Sequence, residues 1–511
     1  MMAAQHVETG FSLKQLLSGI VEVNVDVNIS MLTLDAREIA VGGLFFAVSG
    51  AQSHGMQFAE QALKNGAAAI VFDPASGGDL LSKKFSNRDD VVMYGLNNLS
   101  NYVSEIASRF YQKPSKKVPV IGITGTNGKT SISHFVAQAM GVRQPCAVMG
   151  TLGWGFLDGL AQTVNTTPDA VSVQRDLCAL VNERAKAISM EVSSHGLQQR
   201  RVAAVEFEGA VFTNLTQDHL DYHGSMEAYG AAKLELFRSP SLKYAVVNLD
   251  DDYSATIVKA LASSVTLFGY SRSPMAGERV DVLLRIRNEV VGVDGLNFSF
   301  DYQGQQYEVH SKLLGGFNVD NTAATLTVLL AQGWEILDAI DAIAGLKNVP
   351  GRMQHILLDE SLPLVVVDYA HTPDALASVL KTVREHCDGT LIVVFGCGGD
   401  RDSSKRELMG QVASAHADSI IVTNDNPRHE SAAQIAKAIM LGVDDGVQAE
   451  VLLDRESAIK KAVNSASAND IIVVAGKGHE SYQLMADKKL PFSDAGVVRS
   501  ALQLRLKGGE L

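Results

Sequence analysis

Cysteine is scarce in this chain: four residues, Cys146, Cys178, Cys387 and Cys397, none spaced as a CxxC pair. Each sits in or beside an apolar run, which argues against a disulfide framework and predicts reduced, mostly buried thiols. Clustered basic charge is missing too. The formal net charge is −13 with no basic block to offset it, so no nucleic-acid-binding surface is expected. No apolar run approaches the ~20 residues that a bilayer span requires. Met1 to Lys14 lacks the basic-then-apolar pattern of a secretion signal. These absences predict a cytoplasmic protein with no membrane insertion. Internal repeats, low-complexity tracts and coiled-coil heptads are lacking as well.

What the chain does have is ordinary globular composition, 46% hydrophobic and 20% charged, over 511 residues. That length suggests about three domains. One stretch organises it. Val118 to Ile123 reads as a buried strand, and a helical pattern starts at Ser131. Between them lie Gly125, Thr126, Asn127, Gly128, Lys129, Thr130 and Ser131. A strand feeding a glycine-rich turn at a helix N-terminus makes an anion cradle, because free N–H groups and the helix dipole converge there. Gly125 and Gly128 allow close backbone approach, Lys129 supplies a point charge, and the Thr130 hydroxyl suits Mg²⁺. The general phosphate-loop pattern wants glycine where this chain has Ile123. The flanking strand and helix therefore carry the assignment.

Residues 1–96 read as a first α/β unit, with strands at 43–48 and 68–72 and a helical segment between them that Asn65-Gly66 stops. Residues 97–349 form a second unit around the phosphate loop. It alternates strands, at 187–192, 210–213 and 244–248, with helices. From 350 to 511 the pattern is most regular. Strands at 364–367, 391–395, 420–423, 451–453 and 471–475 alternate with helices and predict a parallel, doubly wound, Rossmann-like sheet.

In that last unit the polar motifs follow strand ends: Asp368 to Asp374, Gly396 to Arg401, Asn424 to Arg428, and Gly476 to Glu480. Strand ends of an open parallel sheet share one edge, where ligands bind. Any one of these loops has a bland reading, Gly476-Lys477-Gly478 as a corner and Asn426-Pro427 as a turn. Glu191 and His219 are metal-ligand candidates, since Mg²⁺ beside phosphates needs further ligands. By spacing alone Lys233 reads as a snorkelling helix lysine. Asp250-Asp251-Asp252 reads as a solvated turn.

Taken together these strings resemble the Mur ligases of bacterial cell-wall synthesis, over nearly the whole chain. The resemblance rests on Thr124 to Ser131, Glu191 to His195, His219 to His223, Lys233, Asn318 with Asn321, Pro350-Gly351-Arg352, Asp368 to His371, and Gly476 to Glu480. It implies three α/β domains: UDP-binding, central ATPase and Rossmann-like. It also implies ATP-dependent amide formation on a UDP-muramoyl-peptide, in a protein expected to be a monomer.

Carried over, Lys129 and Thr130 hold ATP phosphates and Mg²⁺, with Thr130, Glu191, His219 and Lys233 as metal ligands. Lys233 matches a lysine that the family carbamylates, which turns a repelled ammonium into an anionic oxygen ligand. Asn321 matches a position near the adenine, Asp368 one near the ribose and Arg352 one near the phosphates. Leu34, Ala36, Ala51, Gln52 and Ser53 would meet the uridine. Asn165, Thr166, Thr167, Ser193, Gln199 and Arg201 would lie along UDP-N-acetylmuramoyl-dipeptide. Ala36 replaces a serine that relatives often use on uracil, so that hydrogen bond is not available here. Asp425-Asn426-Pro427-Arg428 looks like the motif of members that add meso-diaminopimelate rather than L-lysine. An arginine fork suits the extra carboxylate and repels a lysine ammonium. Arg401, Asn426, Arg428, Gly476 and Glu480 would surround that amino acid.

Three rivals are weaker. A folylpolyglutamate synthetase generally lacks a UDP-binding first domain and this 425–428 motif. A nucleotide-dependent switch does not need the 476–480 loop. An oxidoreductase would show Gly-x-Gly-x-x-Gly after the first strand of the terminal sheet.

Overall fold

Apolar runs that end in glycine or charge become strands buried on both faces, and those ends place the candidate site. The computed structural model describes residues 10–50, 53–88, 90–163, 165–273, 279–292 and 295–508. In it Val120–Thr124 is a fully buried strand. Helix Lys129–Gly141 follows, starting at Lys129 and not at the expected Ser131, because Gly128 (φ +87°) makes the turn into it.

The chain forms two compact units, Met1–Gly122, Gln144–Gly209 and Arg238–Leu242 in the first, and Ile123–Arg143, Ala210–Phe237 and Lys243–Leu511 in the second. In the first, strands Met31–Thr33, Gly43–Ala47, Ala67–Phe72 and Met93–Gly95 lie side by side in that order, all parallel. Side chains alternate across a strand. Leu44 and Phe46 enter one core with Val71, Ile106 and Phe110. Phe45 and Ala47 enter another with Met56 and Ile70. Elsewhere in this unit Ala187–Glu191 pairs parallel with Cys146–Gly150, and Gly153–Gly155 pairs antiparallel with the latter.

In the second unit Tyr244–Asn248, Thr266–Ser271 and Val282–Gly292 run parallel. Gly295–Tyr302 and Gln305–Ser311 then add antiparallel strands that the helix–strand alternation did not anticipate. The terminal sheet has the order Gln354–Ile356, Leu364–Asp368, Ile471–Ala475, Leu391–Phe395, Ser419–Val422, Gln448–Val451. Val366, Val393 and Val473 face one core and Val365, Ile392 and Ile472 the other.

Two expectations need correction here. The sheet is not wholly parallel, since Gln354–Ile356 pairs antiparallel at its edge. The strand expected at 451–453 lies at Gln448–Val451. It is an edge strand with an exposed Gln448 and Val451, so it lacks the apolar run of a central strand. All four cysteines are free; Cys146 and Cys397 are buried, while Cys178 and Cys387 are partly exposed. Among the described residues no helix is long and apolar enough to cross a membrane.

Candidate active site

The phosphate loop is held almost wholly by its own neighbourhood. Thr126 N–H donates to the Asn214 carbonyl (2.8 Å) and Asn127 N–H to Asn214 Oδ1 (2.9 Å). Thr213 Oγ1 donates to the Asn127 carbonyl (2.6 Å). Gly125, at φ +152°, has no room for a side chain: a Cβ there would lie 1.8 Å from Thr213 Oγ1. At Gly128 a Cβ would lie 2.7 Å from Asn321 Oδ1, so Asn321 backs the loop, with its amide N–H on Asn318 Oδ1 (2.9 Å). Thr130 and Ser131 are buried in the first turn of the helix. The arrangement leaves a helix N-terminus facing a loop of the correct shape for a phosphate.

Two lysines converge on one carbonyl. Lys129 Nζ donates to the Gly125 and Thr126 carbonyls, each at 2.8 Å, and Lys233 Nζ to that of Gly125 at 2.7 Å. Lys233 is 1% exposed and lies 4.2 Å from the Tyr229 ring centroid. The snorkelling alternative is therefore wrong for it. Burial, with the Lys129 charge beside it, holds its pKa well below the ordinary lysine value, which favours the neutral amine. Nearby, buried Asp218 faces His371 Nε2 (3.8 Å), His219 Nε2 (3.4 Å) and Lys405 Nζ (4.0 Å). Burial acts to raise the Asp218 pKa, but the bond and charge from His371, with His219 and Lys405, outweigh it and keep the carboxylate ionised. The three aspartates are not all solvated either, because Asp251 accepts the N–H groups of Leu215 (2.8 Å) and Tyr253 (2.9 Å).

Arg352 reaches the loop directly: its Nη2 donates to Thr130 Oγ1 at 3.1 Å, with the guanidinium 4.5 Å above the Tyr369 ring. Asp368 is inward-facing and accepts the Met353 and Ala370 N–H groups, both at 2.7 Å. Burial raises its pKa against the pull of Arg352 and those N–H groups. His134 is buried and His479 half-buried, and desolvation, together with the Arg352 charge, lowers their pKa values to about 4 and about 3.

In the first unit the residues expected along the dipeptide gather around a buried carboxylate. Glu191 accepts the Thr151 N–H (2.8 Å) and hydroxyl (3.1 Å), and Thr151 Oγ1 meets Thr166 Oγ1 at 3.1 Å. Thr167 Oγ1 donates to the Glu191 carbonyl (3.1 Å) and accepts the Ser193 N–H (3.0 Å). Arg201 donates to the Thr167 carbonyl and to Gln199 Oε1, both at 2.6 Å. Asn165 is exposed, its carbonyl accepting from Thr163 Oγ1 (2.9 Å). Of the uridine set, Ala36 is buried beside Ile39 and Phe45, Leu34 is half-buried and Ser53 exposed. Ala51 and Gln52 lie outside the described residues.

The amino-acid loops meet at the edge of the terminal sheet. Asn426 Nδ2 donates to Glu480 Oε2 (2.8 Å), and Lys477 Nζ to the same oxygen (2.6 Å) and to Asn426 Oδ1 (3.0 Å). Arg428 Nη1 donates to the Gly399 carbonyl (2.7 Å), while Arg401 is exposed beside Gly398. Strands Tyr482–Met485 and Lys488–Pro491 form a hairpin. Its Leu484 carbonyl accepts the Arg428 N–H (3.1 Å), and its Ala486 N–H donates to the Arg428 carbonyl (2.7 Å). Below, the fully buried Arg455 pairs with Asp494 (2.7 and 2.8 Å) and donates to the Asn424 and Ala475 carbonyls (3.2 and 2.9 Å), joining the two strand ends that carry these loops. Sequence reasoning missed Thr151, Asp218 and Arg455. Lys477 stood in a noted motif and was passed over as a corner.

Comparison with known proteins places the chain in a family. Residues 28–111 match the Mur ligase family catalytic domain, 123–329 the Mur ligase middle domain, and 351–478 the Mur ligase glutamate ligase domain. The UDP-N-acetylmuramoyl-L-alanyl-D-glutamate–2,6-diaminopimelate ligase of Coxiella burnetii is 43% identical over 94% of this chain and 97% of its own. A solved structure bearing that enzyme name is 37% identical, with a TM-score of 0.66 over 97% of this chain and 99% of that one. The Mycobacterium tuberculosis folylpolyglutamate synthase, solved with ADP and AMPPCP, shares the fold at 19% identity and a TM-score of 0.59, covering 80% of this chain and 95% of that one. Near-full-length identity of this size, joined to three domain matches in sequence order, shows that the chain belongs to the Mur ligase family.

Proposed function

We propose that this protein joins meso-2,6-diaminopimelate to UDP-N-acetylmuramoyl-L-alanyl-D-glutamate at the expense of ATP, in the cytoplasm and as a monomer. One observation carries the choice of amino acid. A guanidinium, Arg428, and a carboxylate, Glu480, come from loops on the same edge of the terminal sheet, Glu480 held by Asn426 and Lys477 and Arg428 by the Gly399 carbonyl. Such an edge offers opposite charges to a zwitterionic side-chain end, the carboxylate taking the distal ammonium and the guanidinium the distal carboxylate. L-Lysine would meet Arg428 with nothing to pair to it. The residues divide as 1–96 for UDP binding, 97–349 for ATP and 350–511 for the amino acid.

A carboxylate resists amines because its oxygen leaves poorly, so the D-glutamate γ-carboxylate first takes the terminal phosphoryl group of ATP. The diaminopimelate amine then attacks the acyl phosphate, and phosphate leaves. Lys129 and the N–H groups of 128–131 at the helix start would offset the charge that develops on the phosphoryl oxygens. Arg352, already on Thr130, is placed to add a second cation. Asn321 would sit by the adenine and Asp368 by the ribose, whose hydroxyl its remaining lone pairs can accept.

Among the described residues no group of three or more His, Cys, Asp or Glu side chains gathers to hold a metal ion. The donors must therefore include other oxygens, and the Thr130 hydroxyl and a carbamate on Lys233 fit that need. Thr130, Glu191, His219 and Lys233, the last as a carbamate, are the proposed Mg²⁺ ligands. Bound there, Mg²⁺ supplies charge neutralisation at the phosphates.

The test is phosphate release from ATP with UDP-muramoyl-dipeptide and a panel of amino acids. Stimulation by meso-diaminopimelate is the expected result. Stimulation by L-lysine alone overturns the specificity, and glutamate-stimulated release with a folate overturns the reaction.

A further inference from the structure

Lys477 is fully buried at the edge of the terminal sheet, and its ammonium spends its donors inside the amino-acid corner. Nζ lies 2.6 Å from Glu480 Oε2, 3.0 Å from Asn426 Oδ1 and 3.5 Å from Asp425 Oδ1. An ammonium has three hydrogens to give and nothing to accept with; Glu480 and Asn426 each take one, and Asp425 adds an ion-pair contact without a hydrogen bond. A buried cation without such partners would be strongly destabilising.

The lysine also decides which way Asn426 points. Asn426 Oδ1 takes Lys477 Nζ and the Leu484 N–H (2.9 Å), and two donors on that side identify it as the oxygen. The amide NH₂ must then face Glu480 Oε2, where the structure has it at 2.8 Å. Glu480 Oε2 thus receives two donors. Its carboxylate is pinned through one oxygen, so Oε1 is the oxygen left to accept a further donor. Reversing the Asn426 amide would set its NH₂ against an ammonium and its oxygen against a carboxylate. With Lys477 present, that reversal is blocked.

We propose that Lys477 is a positioning residue for amino-acid selection, acting through Glu480 and Asn426 and touching no substrate itself. This rests on the assignment of the corner to the incoming amino acid. A lysine that merely turned the Gly476–Gly478 corner would affect folding, and would not act selectively on one substrate. Removing it leaves Glu480 and Asp425 with no cation between them. Glu480 then keeps only the Asn426 NH₂ on Oε2, and the amide only the Leu484 N–H on Oδ1, so both are held more loosely.

The experiment is a double-mutant cycle with Lys477→Met and Glu480→Gln in the full-length enzyme, reading KM for meso-diaminopimelate, ATP and UDP-muramoyl-dipeptide. Lys477→Met is expected to raise KM for the amino acid by about 10-fold or more, as for loss of a charge-assisted hydrogen bond. KM for the other two substrates stays within about 2-fold, and in the Glu480→Gln background the same change adds less than about 3-fold, because coupled residues are not additive. An unchanged amino-acid KM, equal effects on all three substrates, or full additivity overturns the proposal. If Lys477→Met does not fold, Lys477→Gln is read in its place, and failure of both variants to fold overturns it in favour of a structural role. If the wild-type enzyme answers to another amino acid, the functional reading fails by itself, and the cycle is read with that amino acid.

Discussion

The phosphate loop and the amino-acid corner are built in opposite ways. The loop is chiefly a backbone device. Backbone geometry at Gly125 and Gly128 shapes it, and its partners, Thr213 and Asn214, come from one neighbouring strand end. The corner is a side-chain device in which groups from 425–428, 477–480 and the 482–491 hairpin hold one another. A nucleotide triphosphate is common to many reactions and suits a fixed cradle. An amino acid must be told from close relatives, and that calls for directional side-chain groups. Arg352 connects the two, standing beside Tyr369 and donating to Thr130.

Variants that break one region and spare the other sharpen this contrast. Lys129→Ala is expected to lower kcat by about 10³-fold, as for loss of a key cation in phosphoryl transfer, with the circular-dichroism spectrum intact; wild-type turnover would remove Lys129 from its role. Lys233→Met should cost about 100-fold through weakened metal binding. A carbamate ¹³C resonance from labelled bicarbonate should vanish in it, and its persistence would place the modification elsewhere. Arg428→Ala should raise the meso-diaminopimelate KM by about 10- to 100-fold while the ATP KM holds; an equal rise in both would deny the separation of the two regions.

Where the regions meet, His134 and His479 add a pH axis. Folded, they titrate at about 4 and about 3, against ~6.5 in an unfolded chain. The unfolded state therefore binds more protons in between, and stability falls as pH drops from roughly 6.5 to 4. His479→Gln should remove on the order of 1–3 kcal/mol of that dependence in denaturation measured at pH 7 and pH 4; an unaltered slope would mean that the ring is not shielded. The smallest effect belongs to Ala36→Ser. Its methyl is buried beside Ile39 and Phe45, so a hydroxyl there should destabilise by about 1 kcal/mol without lowering the KM of the UDP substrate. A lowered KM would show that the side chain reaches uracil.

The same contrast explains what could be read from the sequence. Strands buried on both faces, such as Leu391–Phe395 and Ile471–Ala475, announce themselves as apolar runs, and glycine with lysine at a strand end announces the loop. Edge elements do not. Gln448–Val451 and the long strands from Val282 to Ser311 carry polar residues on open faces, so periodicity passes over them. Side chains that act by burial were equally hidden. Spacing makes Lys233 an ordinary helix lysine, and only its packing under Gly125 shows otherwise. Arg455 looks like a surface residue in a polar helix, yet it binds Asp494 some forty residues on, inside the sheet. Lys477 needed the hairpin, because the Leu484 N–H shares with it the Asn426 oxygen.

That hairpin reaches further than its size implies. Because Arg428 exchanges main-chain bonds with Leu484 and Ala486, the stretch proposed to discriminate among amino acids is stitched, as a short extra ribbon, to a segment more than fifty positions downstream. Transplanting residues 425–428 alone from a relative with another preference would set a foreign peptide against an unaltered partner. A swap of substrate preference would have to carry both pieces together.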